Sequence, residues 1–175
     1  MIRYVAFLRG LNAIGQKIAG ADELQSCFEQ PGFHNIKTYI QSDNILFDTE
    51  DTDEAGMGMK IEKQLEQKLG YTVKVLVRMV HEVKNVIKNN PFQNMNTKGR
   101  KLYVTFLSDV PPPSVRGALE VYSNDAEDAR LVKREVYILS GNYGKTCFPN
   151  SLIEKKFGVI ATTRNWDTLN KILEL

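Results

Sequence analysis

The chain is poor in the side chains that most enzymes use at neutral pH. Its 175 residues include two histidines and two cysteines. Histidine is the side chain whose ordinary pKa lies nearest neutrality. His34 and His81 are isolated in the sequence, so no Ser-His-Asp or Cys-His arrangement follows from spacing. Cys27 and Cys147 lie far apart and in no ligand spacing. They read as idle thiols of a reducing compartment, and neither a disulfide framework nor a metal site is expected. No apolar run approaches the roughly 18–20 residues of a membrane span. The apolar start is interrupted by Arg3 and closed by Arg9, without the small-residue cleavage site of a secretory leader. A cytoplasmic protein with no membrane partner is expected. Strong charge is missing too. A net charge of +2 permits phosphate contacts but falls short of the basic excess of nucleic-acid modules.

What is present is an ordinary globular composition, 42% apolar and 25% charged, enough for a core without disulfides or metal. "IRYVAFLR" (residues 2–9) is apolar at most positions, as a central strand is. "ADELQSCFEQ" places Leu24, Cys27 and Phe28 on one helical face, ended by Pro31 and Gly32. "NIKTYIQ", "SDN" and "ILFDT" read as a hairpin. Ile61, Leu65 and Leu69 predict a helix over residues 54–69, weakened in its first turn by Gly56 and Gly58 and stopped by Gly70. "YTVKVLVRM" is a fourth strand. The order β-α-β-β-α-β predicts an α+β fold whose first half is a ferredoxin-like split βαβ.

"HEVKNVIKN" reads as a short helix, and "NPFQNMNTKGR" as a linker. Beyond it come a strand at "KLYVTFL", a helix within "PPPSVRGALEVY", strands at "ARLVKRE" and "VYILSG", and helices at "NSLIEKKFG" and "NWDTLNKILEL". This β-α-β-β-α-α order is close to the first half without visible residue identity, so a duplication is read from element order alone. The expected organisation is a subdomain at 1–90, a linker at 91–100 and a second α+β subdomain at 101–175.

Short motifs carry little. "GNYGKT" (residues 141–146) resembles the end of a phosphate-binding loop, but the full pattern needs glycine where Leu139 stands. Pro149 also bars an unbroken helix directly after Thr146. A glycine turn is the better reading. "GMGMKI" lacks the third glycine of a dinucleotide fingerprint. "HEVKN" lacks the second histidine of a zinc-protease helix. No cofactor is implied.

Three stretches taken together, "YVAFLRGLN", "TYIQSDN" and "ATTRNWDT", resemble the bacterial family called domain of unknown function 1697. The resemblance implies a two-part α+β protein with ferredoxin-like character and supplies no substrate. Its recurring polar residues fall on Arg9, Gly10 and Asn12, on Gln41, Ser42 and Asn44, and on Thr163, Arg164, Asn165, Trp166 and Thr168. Two departures stand out. The hairpin turn carries Asp43 where the family usually has glycine, and the first loop reads Asn12-Ala13-Ile14-Gly15 instead of Asn-Val-Gly-Gly. Asp tolerates a left-handed turn, but it adds bulk and negative charge, which works against an anionic ligand.

The split βαβ makes a geometric prediction. Strand three lies between strands one and two, antiparallel to both. Arg9, Asn12, Gln41, Ser42 and Asn44 then share one edge, and Arg78 lies at the opposite one. Arg164 or Asn165 is expected to reach the first edge, with Asn165 or Thr163 capping the last helix and Trp166 anchoring the core. A guanidinium, amides and a hydroxyl orient a ligand well but make poor general bases. Binding of a small anionic or polar ligand, or less readily an RNA segment, is the leading expectation. A small enzyme acting on a phosphorylated or acyl substrate, with Lys145 or Asp43 as proton carrier, is the alternative. A protein-interaction module is a further one. The sequence fixes no oligomeric state.

Overall fold

The computed structural model describes residues 1–11, 20–39, 43–95, 97, 99–141 and 146–175. The chain divides into two units, Met1–Asn85 with Lys171–Leu175, and Val86–Asn170. In each, a four-stranded antiparallel sheet packs with helices or helical turns, so the fold is α+β with two similar halves.

The first unit runs β1 (Ile2–Arg9), α1 (Ala21–Phe28), β2 (His34–Tyr39), β3 (Asn44–Thr49), α2 (Glu54–Leu69) and β4 (Lys74–Met79), with strand order β2-β3-β1-β4. Strand β3 lies between β1 and β2 and is antiparallel to both, as the sequence argument requires. Alternate residues of a strand face opposite sides. Tyr4, Ala6 and Leu8 of β1 join Phe28 of α1 and Ile61 and Leu65 of α2 in one core. Val5 and Phe7, on the other side of the same strand, are also 0% exposed. Burial on both faces is why β1 reads as a continuous apolar run.

Helix α2 spans the expected residues. Its first turn is built around its glycines. The Asp53 carboxylate accepts the Gly56 N–H at 2.9 Å, and a Cβ on Gly56 would sit 2.2 Å from Asp53 Oδ2. A Cβ on Gly58 would come within 3.1 Å of the Val75 carbonyl oxygen, so that glycine lets α2 lie close on β4. Gly70 ends the helix in the left-handed conformation at φ 79°.

A nine-residue helix, α3 (Val80–Lys88), follows β4 directly. The second unit then runs β5 (Lys101–Leu107), two 3-10 turns (Pro113–Val115 and Glu120–Tyr122), β6 (Glu127–Val132), β7 (Glu135–Ser140), α4 (Asn150–Phe157), β8 (Ala161–Asn165) and the first residues of α5 (Trp166–Glu174), with strand order β6-β7-β5-β8. Its core includes Leu107, Val136, Ile138, Phe148 and Phe157.

Three expectations for this half need correction. "PPPSVRGALEVY" forms 3-10 turns and not a helix. Gly117 falls in its middle, where glycine disfavours a continuous α-helix. "ARLVKRE" is broken by a tight turn at Lys133, which adopts φ 56°. "TTRNW" is not simply a helix entry, because Ala161–Asn165 is an edge strand paired with β5. The half is therefore closer to the first than its sequence suggested.

Register makes the likeness concrete. Tyr4 pairs with Phe47 and Met79, and Val5 pairs with Leu46 and Arg78. Tyr103 pairs with Ile138 and Asn165, and Val104 pairs with Tyr137 and Arg164. The central strands therefore align as "YVAFL" and "YVTFL", identical at four of five positions. Residue identity between the halves is visible after all, once the partners define the register.

Candidate functional site

The end of β1 and the start of β3 meet at one edge of the first sheet. Asn44 pairs with both Phe7 and Tyr39, and the Leu8 N–H donates to the Asp43 carbonyl at 2.8 Å. Arg9 is half-buried opposite Lys74, whose ammonium lies 3.2 Å from Glu62. Strand alternation places Arg9, Phe7 and Asn44 on the same side, away from α1 and α2. Asn44 is only 1% exposed. Asp43 holds φ 54°, a left-handed geometry that Asp tolerates. Of the expected cluster, the structure thus joins Arg9 and Asn44. Asn12, Gln41 and Ser42 lie outside the described residues, as does Lys145.

Arg78 pairs with Val5, four residues back along β1 from Arg9. At ~3.3 Å per residue that is roughly 13 Å away, towards the other end of the sheet. It is 2% exposed, and its guanidinium donates to the Val77 carbonyl at 2.8 Å and lies 3.8 Å from Glu54.

In the second unit Arg164 occupies the register equivalent to Arg78. It is 9% exposed and donates to Thr162 Oγ1 and to the Thr163 carbonyl, both at 2.9 Å. Each buried arginine thus bonds the carbonyl of the residue before it. Sequence reasoning singled out Arg164 and not Arg78; the signal it missed was the shared Arg-x-apolar step from strand into helix. Asn165 caps α5, its side-chain oxygen accepting the Thr168 N–H at 2.7 Å. Thr163 does not cap. Its hydroxyl is 2.7 Å from that of Thr105 and donates to Asn150 at 2.6 Å. Trp166 is half-buried, whereas Leu169 and Ile172 on its helix are closed. It is therefore not the core anchor expected. Its ring lines a cavity of about 480 Å³ in this unit, with Arg100, Lys101, Leu102, Leu139 and Asn165.

A further buried group escaped sequence reasoning. Glu127 is 0% exposed, and its carboxylate accepts the Ser140 hydroxyl and the Cys147 N–H. It therefore clamps both flanks of "GNYGKT", of which residues 142–145 lie outside the description. Burial pushes the Glu127 carboxyl up, but bonds from Cys147, Ser140 and Thr146 outweigh it and hold the group below its ordinary value. Burial and the Glu127 charge raise the Cys147 thiol to about 11. The Cys147 thiol is therefore protonated near neutrality, the unreactive form. Among the described residues no His, Cys, Asp and Glu side chains form a metal-binding group, and no helix is long and apolar enough to cross a membrane.

A family model described as "Protein of unknown function (DUF1697)" matches residues 1–137. The chain belongs to this family. Membership in DUF1697 covers the first two polar motifs, while "ATTRNWDT" lies beyond the matched residues. In structure this DUF1697 chain is similar to "conserved bacterial protein SP0830 from Streptococcus pneumoniae", with a TM-score of 0.76 and 21% identity, covering 100% of this chain and 99% of that one. At that identity the likeness speaks for the fold alone. No protein with a curated description matches.

Proposed function

We propose that the protein binds a small anionic or polar ligand through the polar edge formed by Arg9 and Asn44, to which the sequence adds Asn12, Gln41 and Ser42. One observation carries the reading: Arg9 and Asn44, far apart in the chain, share one edge and one side of the sheet. A guanidinium is a group suited to recognise a carboxylate or phosphate. Amide neighbours fix orientation without supplying a base poised near neutrality. Asp43 sets a limit on the ligand, because its carboxylate opposes high negative charge.

Thermal shift against inorganic phosphate, acetyl phosphate and a short single-stranded RNA tests the proposal. A ligand at about 100 times its Kd stabilises the folded chain by ~2.7 kcal/mol. Arg9→Ala is expected to weaken binding roughly ten-fold or more, the loss of one charge-assisted hydrogen bond. Asp43→Gly is expected to strengthen phosphate binding, since glycine accepts the same left-handed backbone. Absence of any shift, or equal shifts in wild type and Arg9→Ala, would count against the site. Stabilisation by RNA alone would move the reading to a nucleic-acid partner.

A further inference from the structure

We propose that the cavity of the second unit is a second binding site, for a small molecule with a flat aromatic body and a single anionic group. This rests on described residues of the second unit and not on the Arg9 reading. At about 480 Å³ the cavity falls within the ordinary range for small-molecule sites. Its walls divide by chemistry. Leu102 supplies an apolar surface beside its fully buried register partner Leu139. Trp166 supplies a large ring that α5 leaves partly uncovered, although Leu169 and Ile172 of that helix are buried. Covering such a ring with a flat apolar partner is favourable in area, and stacking adds about 0.5–1.5 kcal/mol.

The polar part is biased in sign. Arg100 and Lys101 line the cavity against one carboxylate, Asp167. An anionic group beside the aromatic body answers that bias, and arginine both forks onto carboxylate or phosphate oxygens and stacks on planar groups. Asn165 belongs to the positioning of the ring. By holding the Thr168 N–H it fixes the first turn of α5, from which Trp166 projects. A larger depression in the same unit, about 640 Å³, lacks this combination. Its described lining has no aromatic ring.

Trp166 is the sole tryptophan of the chain, so intrinsic fluorescence reports on this cavity directly. The full chain is titrated with adenosine monophosphate and 2-naphthoate, and in parallel with adenosine and inorganic phosphate. The expected result is a saturable change in Trp166 emission with an aromatic anion, at least roughly ten-fold weaker with adenosine or phosphate, about 1.4 kcal/mol. Arg100→Gln with Lys101→Gln should reduce affinity for the anion by a similar factor. Lys101→Glu, at an exposed position, should reduce it further, in a chain whose cooperative thermal melt shows that it is folded. Arg9→Ala should leave this titration as it is, which separates the two sites. The proposal is overturned by no saturable change with either aromatic anion. It is equally overturned by equal binding of adenosine, or by titrations that the Arg100 and Lys101 variants leave unaltered.

Discussion

At the scale of single residues, the most committed side chain is Glu127. A buried carboxylate is stable only when its lone pairs are met by donors, and here Ser140 and Cys147 meet them from the two ends of one loop. Its folded pKa is held below the ordinary value. The stabilisation is therefore fully present above the unfolded pKa, about 4.3, and is lost as pH falls through the lower folded value. Glu127→Gln is expected to cost about 1–3 kcal/mol at neutral pH. It should also flatten this part of the acid limb of a stability-versus-pH curve measured by urea unfolding. An acid limb identical to wild type would mean that Glu127 is not the group responsible. Trp166 teaches the complementary lesson. Helical spacing alone assigns it to the core, but spacing says nothing about whether the neighbouring chain closes over the ring.

At the scale of elements, β1 and α2 were legible because their signals are local and agree with one another. β1 is apolar on both faces, and α2 has a capping Asp53, an apolar stripe and a terminal Gly70. The α2 cap carries a sharp prediction. Asp53→Ala should cost about 1 kcal/mol. Gly56→Ala in the wild type gains helix propensity but displaces the Asp53 carboxylate, so little net stabilisation is expected. In the Asp53→Ala background the obstruction is gone, and Gly56→Ala should stabilise by up to ~1 kcal/mol. A double-mutant cycle by thermal melting reads the difference; strictly additive effects would remove the steric link. Strand β8 was not legible, since "ATTRN" has no apolar alternation of its own. Its strand character comes from the ladder that β5 offers along one side.

At the scale of the whole molecule, the two halves share strand order, and the central strands share register and nearly the same five residues. Leu8 and Leu107 occupy equivalent places in the two cores, 1% and 0% exposed. Leu8→Ala and Leu107→Ala should each cost about 2–5 kcal/mol, measured by chemical denaturation. A cost near zero at one of them would show that half to be packed loosely, against the equivalence. The likeness was hidden in the sequence because the connections differ. An α-helix in the first half is replaced by two 3-10 turns in the second, the first of them proline-led, which disguises a common frame.

The sequence by itself determined the α+β class, the family and most strand and helix positions in the first half. These follow from short-range causes: side-chain period, caps, and the backbone limits of glycine and proline. It also foresaw that Arg9 and Asn44 would share an edge, because strand order converts distant positions into neighbours. Only the tertiary structure decided that Arg78 and Arg164 are equivalent and buried, that Glu127 clamps a loop, and that Trp166 faces a cavity. Each of those depends on which strands pair and on what covers a side chain. Both are long-range outcomes of packing, which no local pattern records.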